Sequence, residues 1–99
     1  MTEQVATKET RQTAPEDTIY VGQKPTMAYV LAVVTQFSEG RNSIHIKARG
    51  RSISRAVDVA EVVKRRLKGV VTNVDISTEQ ISGERGKLNV STIDINLKK

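Results

Sequence analysis

The sequence contains no cysteine, no tryptophan and a single histidine, His45. Without cysteine the chain forms neither a disulfide nor a thiolate metal site, as expected of a protein in a reducing compartment. With one histidine and scattered carboxylates, no serine–histidine, cysteine–histidine or histidine–metal arrangement has its second member. We therefore expect no enzymatic activity, no metal and no cofactor.

Long apolar runs are also missing. No stretch approaches the roughly 18 apolar residues that a membrane-spanning helix needs, and no charged-then-apolar leader opens the chain. The expectation is a soluble, cytoplasmic protein without a membrane partner. The length of 99 residues suggests one small domain with a modest core, which oligomerisation would help to stabilise.

Positive charge, by contrast, is concentrated in the middle of the chain. Residues 41–68 hold nine lysines and arginines against Asp58 and Glu61, a formal charge of +7, whereas the whole chain carries +5. A basic excess in under a third of the sequence is typical of nucleic-acid-binding proteins. A solvated basic surface is the ordinary alternative at this point.

The first 17 residues differ in composition from the rest. They contain two bases and four acids, and Val5 is their only sizeable aliphatic residue after Met1. Such a segment buries too little apolar surface to offset its ordering entropy. We predict a disordered N-terminal tail over residues 1–17 and a folded domain over residues 18–99.

Hydrophobic periodicity in residues 18–99 predicts the element order β-α-β-α-β-β. The two β-α-β connections favour parallel pairing, and the turn Gly83–Gly86 joins the last two strands into an antiparallel hairpin. The predicted fold class is α/β (a two-layer α+β arrangement), with a mixed four-stranded sheet, two helices and a projecting C-terminal hairpin.

The buried faces of the helices follow from the same periodicity. For the first helix the expected stripe is Met27, Val30, Leu31, Val34 and Phe37. For the second it is Ile53, Ala56, Val57, Ala60, Val63 and Leu67. Val59 and Val62 lie off that second stripe, which suggests a partner subunit.

Two local features are predicted from residue chemistry. Ser52 is placed to cap the second helix. The apolar positions of the last strand change parity between Val90 and Ile93, which predicts a β-bulge near Ser91–Thr92.

The stretch Lys47–Arg55 carries the most specific signal for function. It turns from a strand through Gly50 into a helix and holds four cations: Lys47, Arg49, Arg51 and Arg55. Cations beside a helix N-terminus, with its backbone N–H donors, suit a polyanion. Because parallel strands end at the same edge of a sheet, Lys24 in the first loop should approach Arg49 and Arg51.

A second contact point is expected at the hairpin tip, where Arg85 and Lys87 lie. Aromatic residues are few, namely Tyr20, Tyr29 and Phe37, and two of them fall in helical apolar surroundings. Stacking on splayed bases therefore lacks a platform in the sequence. The pattern favours contacts to the phosphates of a duplex with little direct readout of sequence.

Several motifs resemble those of the Alba family of archaeal chromatin proteins. They are Gly22-Gln23-Lys24-Pro25-Thr26-Met27, Tyr29-Val30-Leu31-Ala32, Ile46-Lys47-Ala48-Arg49-Gly50-Arg51, Ile53-Ser54-Arg55-Ala56-Val57-Asp58 and Val90-Ser91-Thr92-Ile93. The resemblance covers roughly residues 18–99. It implies a homodimer that coats and compacts double-stranded DNA in the nucleoid without strong sequence preference, assembles further along DNA, and also binds RNA.

The resemblance also implies roles for particular residues. The first loop (Gln23, Lys24) and the basic residues before the second helix lie over the centre of the duplex, and the hairpin arms follow the minor groove. Gln23 stands where the family often has a lysine, so one phosphate contact and one acetylation site are missing there. Leu67 stands where many members have a phenylalanine that contacts the next dimer, so we expect weaker cooperativity.

Two other functions compete with a DNA-binding chromatin protein. One is a protein that binds structured RNA in a ribonucleoprotein or as an RNA chaperone, which would use the same phosphate contacts. The other is a basic protein-interaction domain with no nucleic-acid role. Competition between duplex DNA and structured RNA at matched salt separates the first from the leading hypothesis.

Overall fold

The structure is a computed structural model, and it describes residues 17–99. Its elements are β1 (Thr18–Tyr20), α1 (Thr26–Ser38), β2 (Ser43–Arg49), a 3-10 turn (Gly50–Ser52), α2 (Ile53–Arg66), β3 (Val71–Gly83) and β4 (Gly86–Lys98). The predicted order and the two-layer fold are confirmed. The predicted tail lies, apart from Asp17, outside the described residues, and the domain boundary at residue 18 stays a prediction.

The four strands form one mixed sheet in the order β1-β2-β4-β3. β1 pairs with β2 in parallel, and β4 pairs antiparallel with both β2 and β3. β2 and β3 therefore run in the same direction, but β4 lies between them, so the expected direct pairing through the second β-α-β connection is wrong. The central place goes to β4 because its Ile93, Ile95 and Leu97 supply a continuous apolar row to bury.

Both helices pack on one face of the sheet, and the core lies between the two layers. Its largest fully buried side chains are Ile44, Ile46, Ile95, Leu97, Val30, Val33, Val59 and Val63. On α1 the buried residues include Tyr29 and Val33, whereas Met27 and Leu31 are exposed. The expected stripe is thus wrong at those two positions. Because α1 is aliphatic on several sides, periodicity alone does not distinguish its buried side from its exposed side.

On α2 the buried residues are Ala56, Val59, Ala60 and Val63, a regular i, i+3, i+4, i+7 stripe. Val59 is fully buried and Val57 is 41% exposed, which reverses the expected places of these two residues. Val62 packs partly against the core. The apolar flank that is left over on α2 therefore carries Val57, and not Val59.

The hairpin of β3 and β4 is paired without interruption from Val71 opposite Lys98 to Gly83 opposite Gly86. The expected β-bulge near Ser91–Thr92 is wrong, and a 2.6 Å hydrogen bond between the Ser77 and Thr92 hydroxyls joins the strands there. The change of parity has another cause. From Ile93 toward the turn neither α1 nor α2 covers the strands, so the distal apolar residues, such as the 62% exposed Leu88, need not face the core. The distal hairpin projects as an arm.

Candidate nucleic-acid interface

The parallel strands β1 and β2 end at the same edge of the sheet, where both helices begin. The N–H of Val21 donates to the carbonyl of Lys47 at 2.8 Å and extends the pairing to this edge. Neither helix has an acidic residue in its first turn or a side-chain hydrogen bond at its N-cap. We call this region the cationic edge, made by Lys24, Arg49 and Arg51 with the backbone that carries them.

The β1–α1 loop is tied to the start of α2 through one carbonyl. Arg55 donates from Nη1 to the Gly22 oxygen at 2.8 Å, and the Ser52 hydroxyl donates to the same oxygen at 3.4 Å. Ser52 makes no cap hydrogen bond to α2, so the expectation that it caps this helix is wrong. These two bonds hold the loop that contains Lys24 against the basic turn.

Arg55 is predicted from the sequence to contact nucleic acid directly. In the structure it is half-buried and holds the loop backbone, so its role within the protein is that of a positioning residue. A phosphate contact by its remaining N–H groups stays a prediction.

Tyr29 holds the same loop from the other side. Its hydroxyl oxygen accepts hydrogen bonds from the N–H of Gly22 at 2.8 Å and from the N–H of Lys24 at 3.1 Å. The ring is buried in the core, so the oxygen is fixed in position. Periodicity could not predict that Tyr29 binds the loop, because the pattern of an apolar helix predicts only that its tyrosine is buried in the core.

Three side chains of the proposed interface are exposed and have no side-chain partner within residues 17–99. They are Gln23, Lys24 and Arg51. Lys24 stands on the tied loop and Arg51 in the 3-10 turn, so two cations project from backbone that is held in place. Preorganised cations lose less conformational entropy on binding than mobile ones.

Lys47 and Arg49 lie on the face of the sheet turned away from the helices, which we call the open face. Arg49 Nη1 is 3.1 Å from Glu79 Oε1 on β3, and both side chains are more than half exposed. Lys47 Nζ is 3.9 Å from Asp94 Oδ2, and Asp94 Oδ1 is 2.9 Å from Nδ1 of His45. Lys47 and Arg49, both predicted to contact phosphate, are therefore each paired with a carboxylate of the same chain.

Sequence reasoning missed these acidic partners. The alternation of β3 places Glu79 on the side opposite Ile76, and Asp94 alternates with Ile93 and Ile95 in the same way. The alternation showed that both carboxylates lie on the open face, but the strand order was needed to show which cations they contact. Only with β4 beside β2 does Asp94 lie opposite Lys47.

The other predicted contacts lie apart from the cationic edge. Lys87 is five residues along β4 from Thr92, the register partner of Arg49, which is about 17 Å of strand. Arg85 and Lys87 are exposed at the arm tip. Leu67 ends α2 and packs partly against the core, which leaves less of it for a neighbouring dimer; that contact stays a prediction.

Two further properties concern residues 17–99 as a whole. No helix in this part of the chain is long and apolar enough to cross a membrane. No three histidine, aspartate or glutamate side chains gather there in a way that could hold a metal ion.

Comparison with known proteins agrees with the geometry. The family model for Alba matches residues 17–80. The chain belongs to the Alba family. It is 56% identical over 88 residues to DNA/RNA-binding protein Alba of Methanothrix thermoacetophila, covering 87% of this chain and 99% of that protein.

Two further comparisons support the same Alba assignment. The chain is 58% identical over 86 residues to DNA/RNA-binding protein Alba 1 of Archaeoglobus fulgidus, covering 85% of this chain and 97% of that one. The solved structure of Alba from Thermoplasma volcanium superposes with a TM-score of 0.78 at 51% identity, over 83% of this chain and 99% of that one. The Alba fold expected from the sequence motifs is confirmed.

The role of Tyr29 in this Alba chain is tested by Tyr29→Phe. The substitution keeps the buried ring but leaves the N–H groups of Gly22 and Lys24 without their acceptor, at a cost of about 0.5–1.5 kcal/mol for each bond. We expect faster amide hydrogen exchange at these two residues and weaker duplex binding.

Tyr20→Phe is the matched control, because the Tyr20 hydroxyl has no hydrogen-bond partner within residues 17–99. It should leave the exchange rates of Gly22 and Lys24 unchanged. Unaltered protection of both amides in Tyr29→Phe would contradict the assignment.

Proposed function

We propose that this protein is an archaeal chromatin protein that binds double-stranded DNA, and also RNA, through phosphates and with little sequence preference. The observation that carries the proposal is the tied loop, which presents Lys24 beside the basic turn at Arg51. The basic character of the edge and the names of the archaeal relatives, which join DNA and RNA, support it. The same names do not favour a role confined to structured RNA.

The chemistry of the contact follows from the side chains. Arginine presents a planar fork that matches two phosphate oxygens, and lysine adds a compact charge. Lys24 and Arg51 meet phosphate directly. Arg49 and Lys47 exchange a carboxylate partner for a phosphate. Because no base edge is required in these contacts, affinity depends on charge and salt more than on sequence.

The arm gives a second contact. Arg85 and Lys87 stand on a two-stranded ribbon that neither α1 nor α2 covers, so they reach phosphates beyond those met by the cationic edge. In this proposal the arm follows the duplex away from the centre and widens the footprint without adding sequence readout.

A homodimer is part of the proposal, and its interface is the apolar strip made by Val57, Val74 and Ile76. Their side chains are 41%, 59% and 74% exposed. Val74 and Ile76 are the register partners of the buried Ile95 and Ile93, so they continue the core row past the helices. Beside them, Ile53 of α2 faces Ile76 across a groove of about 360 Å³.

An apolar row that continues the core into solvent is typical of a surface that another subunit covers. Two copies joined through it by a two-fold axis would present two cationic edges to one duplex.

Salt dependence tests the phosphate contacts. Each neutralised phosphate adds about 0.9 to the slope of log K against log salt on duplex DNA. Lys24→Ala and Arg49→Ala should each flatten the slope by about 0.9 for every phosphate that the variant no longer neutralises, equally on duplexes of unrelated sequence.

Arg66→Ala is the control for these variants, because it removes the same charge at the far end of α2. It should leave the slope nearly unchanged. Wild-type affinity that is insensitive to salt, or confined to one sequence, would falsify the proposed function.

The pairing of Arg49 with Glu79 gives a gain-of-affinity test. Glu79→Gln removes the carboxylate that competes with phosphate for Arg49. Since an exposed ion pair contributes about 0.2–1 kcal/mol, duplex affinity should rise roughly 1.5- to 5-fold at low salt.

Glu39→Gln changes the net charge equally at the end of α1, remote from the cationic edge. It therefore measures the effect of overall charge alone. Equal gains in affinity for the two variants would show that Glu79 has no particular hold on Arg49.

The dimer interface is tested by Ile76→Glu. The side chain is mostly exposed in the protomer, so the substitution should preserve the fold, whereas a buried carboxylate at a subunit interface is strongly unfavourable. Sedimentation should show a monomer, and duplex affinity should fall.

Leu31→Glu, at an exposed apolar residue of α1, should remain dimeric. If Ile76→Glu sediments as the wild type does, the strip is not the interface.

A further inference from the structure

The open face of the sheet is a trough of about 670 Å³. Its charged and aromatic lining comes from all four strands: Tyr20, Lys47, Arg49, Asp75, Glu79 and Asp94. Four strands span about 14 Å across the sheet. The trough lies on the side opposite the helices and the apolar strip, so a dimer formed through that strip leaves it open.

Apart from Lys47 and Arg49, for which phosphate contacts are proposed above, the charged side chains of the trough are acidic. Its lining includes two cations and three carboxylates, and both cations are already paired. Asp75 and Asp94 are register partners, and like charges directly opposite each other destabilise a sheet. Asp94 contacts Nδ1 of His45 and lies 3.9 Å from Nζ of Lys47, whereas Asp75 has no cationic partner within residues 17–99. These carboxylates suit a ligand that donates hydrogen bonds.

Tyr20 supplies an aromatic surface at the rim. Its side chain is 58% exposed, and its register partner on β2 is Lys47. The chain continues from Tyr20 through Val21 directly into the loop of Lys24. An exposed ring on an open sheet, with a cation beside it, is an arrangement on which nucleic acid bases stack.

From these observations we infer that the trough binds an unpaired nucleobase. The base stacks on Tyr20, its amino group donates to the carboxylates around Asp75, and the adjoining phosphates lie on Lys24 and Arg51. The inference rests on the proposed nucleic-acid binding and adds a ligand class to it, because a paired base in a duplex cannot enter. The scarcity of aromatics in the sequence hid this site, since one exposed ring is enough for one base.

Binding of matched oligonucleotides tests the stacking. The probes are a single-stranded RNA and a fully paired duplex, measured by anisotropy with wild type, Tyr20→Ala and Tyr20→Phe. Loss of a base–aromatic stack should weaken single-strand binding by roughly fivefold or more in Tyr20→Ala. Tyr20→Phe should bind as the wild type does, and duplex affinity should be the same for all three proteins.

A second readout tests the carboxylates. Cytosine carries an exocyclic amino group and uracil does not, so oligo(C) should bind more tightly than oligo(U), and Asp75→Asn should reduce that difference.

Equal binding of single strands by wild type and Tyr20→Ala, or a preference for oligo(U), overturns the inference. If the wild type still binds duplex with a steep salt dependence, the proposed function survives that result; if it binds neither probe, the proposed function itself fails.

Discussion

The hydrogen bonds to the backbone of the first loop are the constraint on which the proposed nucleic-acid interface depends. One carbonyl and two N–H groups of Gly22 and Lys24 are satisfied by Arg55, Ser52 and Tyr29. These partners come from both helices and from the turn between β2 and α2. A loop held in this way keeps Lys24 near cations that are distant from it in sequence, so the positive charge of the edge depends on these local hydrogen bonds.

Two neighbouring surfaces of this molecule differ in how their charges are arranged. The edge where both helices begin is cationic, and its Lys24 and Arg51 side chains have no partner among residues 17–99. On the open face, by contrast, the cations are paired with carboxylates from β3 and β4. Two neighbouring surfaces therefore favour different parts of a nucleotide. In the functions proposed above, the edge takes phosphates, and the face, with its ring and acceptors, takes an unpaired base. The net charge of the chain describes only the first of these.

The sequence was sufficient for the order of elements, the two-layer fold and the turn that carries the cations, because periodicity, glycine positions and charge are local signals. It was insufficient where tertiary contacts decide. Packing on the sheet selects which apolar side of α1 is buried, and the buried side carries Tyr29 and Val33. In the same way, packing buries Val59 of α2 and leaves Val57 exposed. The acidic partners of Lys47 and Arg49 depend on β4 lying next to β2, which the order of the elements along the chain does not specify.

The unbroken pairing of the hairpin fixes the length of the arm and the face on which each of its side chains lies. Without a bulge, every residue added to or removed from β3 must be matched on β4, and each matched pair changes the length by about 3.4 Å. Removing one pair turns the residues at the tip to the opposite face, whereas removing two restores the face and shortens the arm by about 7 Å. The reach of Arg85 and Lys87 can therefore vary between related chains only in steps of two pairs, if these side chains are to meet the same side of a duplex.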